Sequence, residues 1–254
     1  MSILKSEAEF QAMRRAGRLV AQAHEAIREA VKPGVSSKDL DTIAEAIITK
    51  GGGKPAFKGY HGFPATICAS YNEEVVHGIP NRRKLEEGDI ISVDIGSIVD
   101  GYYGDSAWTY AVGTVTPEVK RLLEVTEASL YAGLAQARAG NRLSLVSGAV
   151  QDVVEAAGFS VVRDFVGHGI GKNLHESPQI PNFRMGDDGP ILQAGEALAI
   201  EPMVNIGAFT VRVKKNGWTV VTTDGSWSAH FEHTIIVTDG EPEITTKQSG
   251  VLAL

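Results

Sequence analysis

The feature that most limits how this chain can fold is acidic: four carboxylates sit in or beside segments that otherwise read as apolar β-strands. Asp94 lies among Ile91, Val93 and Ile95, and Asp105 follows Gly104 a little further on. Glu201 ends the run Ala197-Leu198-Ala199-Ile200, and Glu232 opens His233-Thr234-Ile235-Ile236-Val237. A single imidazole, His168, is flanked by glycines in Gly167-His168-Gly169-Ile170-Gly171. Two carboxylates about 4 Å apart repel by roughly 4 kcal/mol at an effective dielectric of 20. Several such pairs would exceed the ~5–15 kcal/mol stability of a domain. Either the acids are scattered over the fold or divalent cations hold them together. Two such ions would neutralise four carboxylates, and one imidazole would give one ion a different ligand set, which points to a dinuclear hydrolase centre.

Asp100-Gly101 is a strong two-residue hairpin signal. With that turn in use, Asp94 faces Ala107 and Asp105 faces Gly96. The two acids become diagonal neighbours on one face, about 7–8 Å apart. Small partners would leave room for an ion. The competing reading is a pair of solvated aspartates on an amphipathic hairpin. Glu201 and Glu232 have their own bland alternative as strand caps at the surface. His175, in Leu174-His175-Glu176-Ser177-Pro178, and His77, in Val76-His77-Gly78-Ile79-Pro80, are each unremarkable alone. His24, His61, His230 and His233 receive no role in chemistry.

The order of elements is doubled. An amphipathic stripe predicts a helix over Ser6–Val31, and Ser36-Ser37-Lys38-Asp39 supplies a capping box for a second over Lys38–Lys50. Strands are predicted at Phe63–Ser70, Glu74–His77 and Ile90–Val112. Pro117 opens a third helix reaching about Ala139, and a fourth covers Leu143–Ala157. Further strands follow, with turn signals at Asn216-Gly217 and Asp239-Gly240. Helix, helix, strands thus occurs twice, suggesting one α+β domain over residues 1–254 with related halves of roughly 1–115 and 116–254. A net charge of −7 gives no support to nucleic-acid or membrane-surface binding. The single cysteine, Cys68, excludes an internal disulfide and fits a reducing compartment. With no signal peptide and no long apolar run, the expectation is a cytoplasmic protein.

Taken in order, the segments closely resemble those of type I methionine aminopeptidases. The matching stretches are Tyr60-His61-Gly62-Phe63-Pro64, Asn72 to Pro80, Ser92-Val93-Asp94-Ile95-Gly96 and Gly101 to Asp105. Gly167 to Gly171, His175 to Pro178, Ile200-Glu201-Pro202 and Phe231-Glu232-His233-Thr234 complete them. The resemblance implies the pita-bread fold, with pseudo-twofold halves around a curved antiparallel sheet and helices on its outer face. It implies that Asp94 chelates one ion, Asp105 and Glu232 bridge two, and His168 with Glu201 complete the other. A bridging water or hydroxide would be the nucleophile, with Glu201 as its proton acceptor. His175 would stabilise the tetrahedral intermediate, and His77 would contact the substrate amide. The methionine pocket would use Tyr60, Phe63, Cys68 and Trp218. Phe63 stands where a tyrosine is frequent and Leu174 where an aromatic is common, which changes pocket shape while keeping it apolar.

The implied reaction removes the initiator methionine from nascent chains and peptides whose second residue is small. Mn²⁺, Fe²⁺, Co²⁺ and Zn²⁺ all suit such ligands. A monomer and a transient ribosome contact are further expectations. The chain looks like a minimal, bacterial-style enzyme, and its own Ser2 predicts removal of Met1, checked by intact mass. Two rivals share the fold: proline dipeptidases or aminopeptidase P, which keep the five ligands, and binding modules, which lose them.

Overall fold

The two N-terminal helices begin where their caps dictate. Ser6 accepts a hydrogen bond from the Glu9 N–H while the Glu9 carboxylate accepts from the Ser6 N–H, opening α1 (Glu7–Ala30). Ser36 and Asp39 repeat the device for α2 (Ser37–Lys50). The computed structural model describes residues 3–249, so the expectation about Met1 and Ser2 lies outside the described residues. Short strands β1 (Lys54–Pro55), β2 (Ile67–Tyr71) and β3 (Glu74–Val76) precede a long pair, β4 (Ile90–Val99) and β5 (Tyr102–Ala111). Next come α3 (Pro117–Gln136), capped by Thr116, and α4 (Leu143–Ala156). The chain continues through β6 (Ser160–Val161), β7 (Gly167–Gly169), β8 (Glu176–Ile180), β9 (Ala197–Ile200) and β10 (Met203–Asn205). It closes with β11 (Val211–Val213), β12 (Val220–Thr222), β13 (Ser228–His230), β14 (His233–Ile236) and β15 (Glu243–Ile244).

Three of the boundaries that differ from the sequence reading have a clear physical cause. Phe63–Thr66 is not strand, because a 3-10 turn at Tyr60–Gly62 and Pro64 delay β2 to Ile67. His77 lies outside β3 with φ of 59°, a left-handed conformation that ends the strand. Helix α3 stops at Gln136, short of Ala139, whose N–H turns away to the Thr238 carbonyl at 2.9 Å.

All the strand pairings are antiparallel, and two sheets matter most. In one, β4 carries β1 and β2 along one edge and β5 along the other. The second runs β15-β14-β9-β7-β8. Side chains bind them together. The Asp105 N–H donates to the Thr234 hydroxyl at 3.0 Å, and that hydroxyl donates back to the Asp105 carbonyl at 2.7 Å. Ser106 donates to the Glu232 carbonyl at 2.6 Å, and the Glu232 N–H reaches the Ala107 carbonyl at 2.8 Å.

Helix α1 rides directly on this assembly. A Cβ on Gly104 would stand 2.7 Å from the backbone nitrogen of Gly17, so β5 and α1 touch backbone to backbone because residue 104 carries no side chain; Gly17 in turn makes room for the Thr245 carbonyl, 2.5 Å from where its Cβ would be. The apolar core fills with Val20, Ile27, Leu40, Ile67, Ile91 and Ile95, all fully buried. At about 25 cal/mol per Å², burial of such side chains supplies roughly 1.5–3 kcal/mol each.

Candidate metal centre and substrate cavity

The Asp100-Gly101 turn sets the geometry from which the site is built. Both residues have positive φ, 49° and 79°, as a two-residue hairpin turn requires. The register places Asp94 opposite Ala107 and Asp105 opposite Gly96, as the turn predicts. The empty space beside Gly96 has another use, however. A Cβ there would fall 2.6 Å from Phe57 and 2.8 Å from Ala56, so the glycine admits the β1–β2 connection and not an ion.

The second sheet supplies the other groups by register. His168 on β7 pairs with Ala199 on β9, and Ile200 pairs with His233 on β14. Glu201 and Glu232 therefore leave neighbouring strand ends side by side. Ligand atoms of Asp105, His168 and Glu232 all lie within 4.8 Å of one another. His168 Nε2 is 3.9 Å from Asp105 Oδ2 and 3.6 Å from Glu201 Oε1. Asp94 lines the same cavity, close enough for its charge to act on Asp105 and Glu232. All five predicted ligands are thus brought together.

Burial makes this cluster electrostatically uncomfortable. Asp105 and Glu232 are 4% and 2% exposed. Desolvation is the first cause holding all four carboxyl pKa values above the usual range. Repulsion adds to it, from Asp94 on Asp105 and from Asp105 on Glu232. Asp94 Oδ1, Asp105 Oδ1 and Glu232 Oε1 are buried with no hydrogen-bond partner among the described residues. Such atoms are costly unless something outside the protein ligates them. The donor set of carboxylates and one imidazole suits divalent first-row cations. His168 is prepared for one: burial pushes its pKa down to about 4, so it stays neutral. Its Nδ1 bonds the Gly169 carbonyl at 3.0 Å, which puts the proton on Nδ1 and leaves Nε2 bare toward the acids.

A cavity of about 260 Å³ opens on this cluster. Tyr60, Phe63, Cys68, His77, His175 and Trp218, the predicted substrate residues, all line it. Phe63 and Trp218 meet edge to face at 5.1 Å, and Cys68 stands opposite Asp94 in the β2–β4 register. Burial lowers the His77 pKa to about 4, and partial desolvation in the cavity moves that of the more exposed His175 in the same direction, with His61 adding to it.

Sequence reasoning missed several neighbours. Phe57, 7% exposed, forms part of the wall and carries no motif of its own. His61, assigned no role, also lines the cavity. His230, likewise set aside, places Nε2 3.6 Å from Glu201 Oε2. Its position on β13, two residues before Glu232, was the available signal. Asn182 donates to the Glu201 carbonyl at 3.0 Å, a contact no local pattern announces.

Comparison with known proteins points one way. Residues 11–239 match the metallopeptidase family M24. The chain is 55% identical to methionine aminopeptidase 1 of Bacillus subtilis, covering 97% of this chain and 100% of that protein. It is 50% identical to the methionine aminopeptidase of Clostridium acetobutylicum over 97% of this chain and 99% of that one. A solved methionine aminopeptidase from Thermotoga maritima superposes with a TM-score of 0.94 at 47% identity, covering 97% and 100% of the two chains. The prolidase of Pyrococcus furiosus shares the fold at a TM-score of 0.79 and 20% identity, covering 97% of this chain and 66% of that one.

Proposed function

This chain belongs to metallopeptidase family M24, and from that premise we propose that it is a metal-dependent methionyl aminopeptidase with the pita-bread fold. It removes the initiator methionine from nascent proteins and peptides whose second residue is small. The observation that carries the reading is the buried carboxylate cluster with unpaired oxygens at the floor of an apolar cavity. Asp94, Asp105, His168, Glu201 and Glu232 would hold two divalent cations, drawn from Mn²⁺, Fe²⁺, Co²⁺ or Zn²⁺. When bound, the cations supply Lewis acidity that polarises the scissile carbonyl and acidifies a water.

The remaining steps belong to side chains. Glu201, whose carboxyl burial keeps it proton-hungry, takes the proton of the attacking water and passes it to the leaving amine. His175 donates a hydrogen bond to the oxygen that becomes negative in the tetrahedral intermediate. His77, neutral and held in a left-handed backbone conformation, contacts the substrate amide. Phe63, Cys68 and Trp218, with Tyr60 at the rim, enclose the thioether, a flexible and polarisable group suited to an aromatic wall.

The catalytic unit is a single domain, acting as a monomer in the cytoplasm on nascent N-termini, with transient ribosome contact. Among the described residues no helix is long and apolar enough to cross a membrane. The test uses metal-stripped protein with Mn²⁺, Fe²⁺ or Co²⁺ restored. Methionine release from Met-Ala-Ser, with Leu-Ala-Ser left whole, is the expected result. Release of alanine from Ala-Pro-Ser would favour the proline-peptidase reading, and silence with every metal would sink both.

A further inference from the structure

Tyr60 has a second partner besides the methionine pocket. Its hydroxyl lies 2.8 Å from His175 Nδ1, with the two rings 5.5 Å apart and tilted by 42°. We propose that Tyr60 is a positioning residue that fixes His175 as the Nε2–H tautomer. The inference rests on the reading of His175 as the oxyanion donor.

The chemistry of the pair sets its direction. A phenol is a good donor, and the bare nitrogen of a neutral imidazole is a good acceptor. With the Tyr60 O–H donating to Nδ1, the imidazole proton must reside on Nε2. That nitrogen is then a donor, which is what a developing oxyanion requires. The opposite tautomer would leave Nε2 with a bare lone pair, unable to donate and competent to ligate a cation.

His168 makes the contrast concrete. The two imidazoles meet edge to face with centroids only 4.4 Å apart. His168 gives its Nδ1 proton to the Gly169 carbonyl at 3.0 Å, so its Nε2 is bare. Neighbouring rings are therefore held in opposite tautomers by different second partners, a backbone carbonyl and a phenol. One ring becomes a ligand and the other a donor. Without the phenol, nothing else hydrogen-bonded to His175 side-chain nitrogens among the described residues would separate the two roles.

The backbone carrying Tyr60 is held in place. Gly59 and Gly62 have φ of 89° and 87°, and His61 is at 47°, unusual for a residue with a side chain. The Tyr60 N–H bonds the Phe57 carbonyl at 2.9 Å, and the Phe63 N–H bonds the Tyr60 carbonyl at 2.9 Å. A tight turn thus presents the hydroxyl from a fixed point, joining the pocket wall to the reacting centre.

Tyr60→Phe keeps the ring and removes only the hydroxyl. In metal-loaded enzyme on Met-Ala-Ser, kcat should fall by about 10-fold, the scale of outer partners to site histidines, while KM stays within about twofold. In Zn²⁺-loaded protein with ¹⁵N-labelled histidine, His175 signals, identified by their loss in His175→Gln, should report Nε2–H in the wild type. A mixed tautomer should appear in Tyr60→Phe. Added to His175→Gln, Tyr60→Phe should cause no further loss of kcat. A raised KM with unchanged kcat, or an unaltered Nε2–H signature, would overturn the proposal and leave Tyr60 as pocket wall. Full activity in His175→Gln would instead remove the role of His175 on which it rests.

Discussion

Two regions of this molecule bury charged and polar groups, and they treat them differently. Behind the β4–β5 pair, the buried Asp41 and His24 are satisfied by the protein. The Asp41 carboxylate accepts from the Thr66 and Ile67 N–H groups at 2.8 and 3.2 Å and from Lys38 at 2.6 Å. His24 is fully buried between the Tyr110 hydroxyl and the Ser106 carbonyl, each at 2.9 Å. On the cavity side, Asp94, Asp105 and Glu232 keep buried oxygens with no partner among the described residues. Among the described residues Glu196 also leaves both oxygens without a hydrogen-bond partner, but it belongs to no group of three or more potential metal ligands. Burial therefore does not mark the site. Burial of several unpaired acids together does, because only a ligand from outside can complete them.

Four changes would break or sharpen this contrast, here from the largest expected effect downwards. Glu201→Gln keeps shape and removes the proposed proton acceptor. Its kcat should fall by more than the roughly 10–100-fold typical of outer-sphere changes, with far-ultraviolet circular dichroism unchanged. In the satisfied region, Asp41→Ala should destabilise by roughly 2–4 kcal/mol in urea unfolding, since two buried N–H groups lose their acceptor.

His24 gives a pH dependence of determinate sign. Burial lowers its folded pKa from 6.5 to about 4. As pH falls below 6.5 the unfolded chain gains a proton that the folded one refuses. Stability is thus present above 6.5 and lost as pH falls towards 4, by up to roughly 3 kcal/mol. His24→Gln should flatten that slope relative to the wild type in denaturation at pH 7, 6 and 5. The smallest effect is expected from Lys58→Ala. Its ion pair with Glu45 is as short as that of Lys38 with Asp41, 2.6 Å, but both partners are about half exposed. Denaturation should register no change beyond the scatter of repeat measurements.

The same contrast explains what was legible in the sequence. Hairpin chemistry is local, so Asp100-Gly101 was enough to give every pairing along β4 and β5. Capping boxes are local too, and the box at Ser36 starts its helix as read, while the equally local box at Ser6 opens a helix that was read from its apolar stripe. Convergence of Asp105 with Glu232 is not local. It depends on Thr234 and Ser106 joining two sheets, over separations of 129 and 126 residues. Ordered motifs, read as a family resemblance, supplied that contact where periodicity could not. Phe57 carries no motif, so its place at the site followed only from packing, whereas His230 was marked only by standing two residues before Glu232. The space beside Gly96 was misassigned to an ion because pairing register says nothing of what crosses above it.

The central claim is that outside cations, not protein groups, complete the acidic cluster. It is tested most directly by Asp105→Asn in metal-stripped protein, with Tm measured before and after adding Mn²⁺. Removing one buried charge from a like-charged cluster should raise the Tm of the stripped protein above wild type. The variant should also lose most of the Tm increase that Mn²⁺ gives the wild type. A stripped variant less stable than wild type, with an undiminished response to Mn²⁺, would contradict the account.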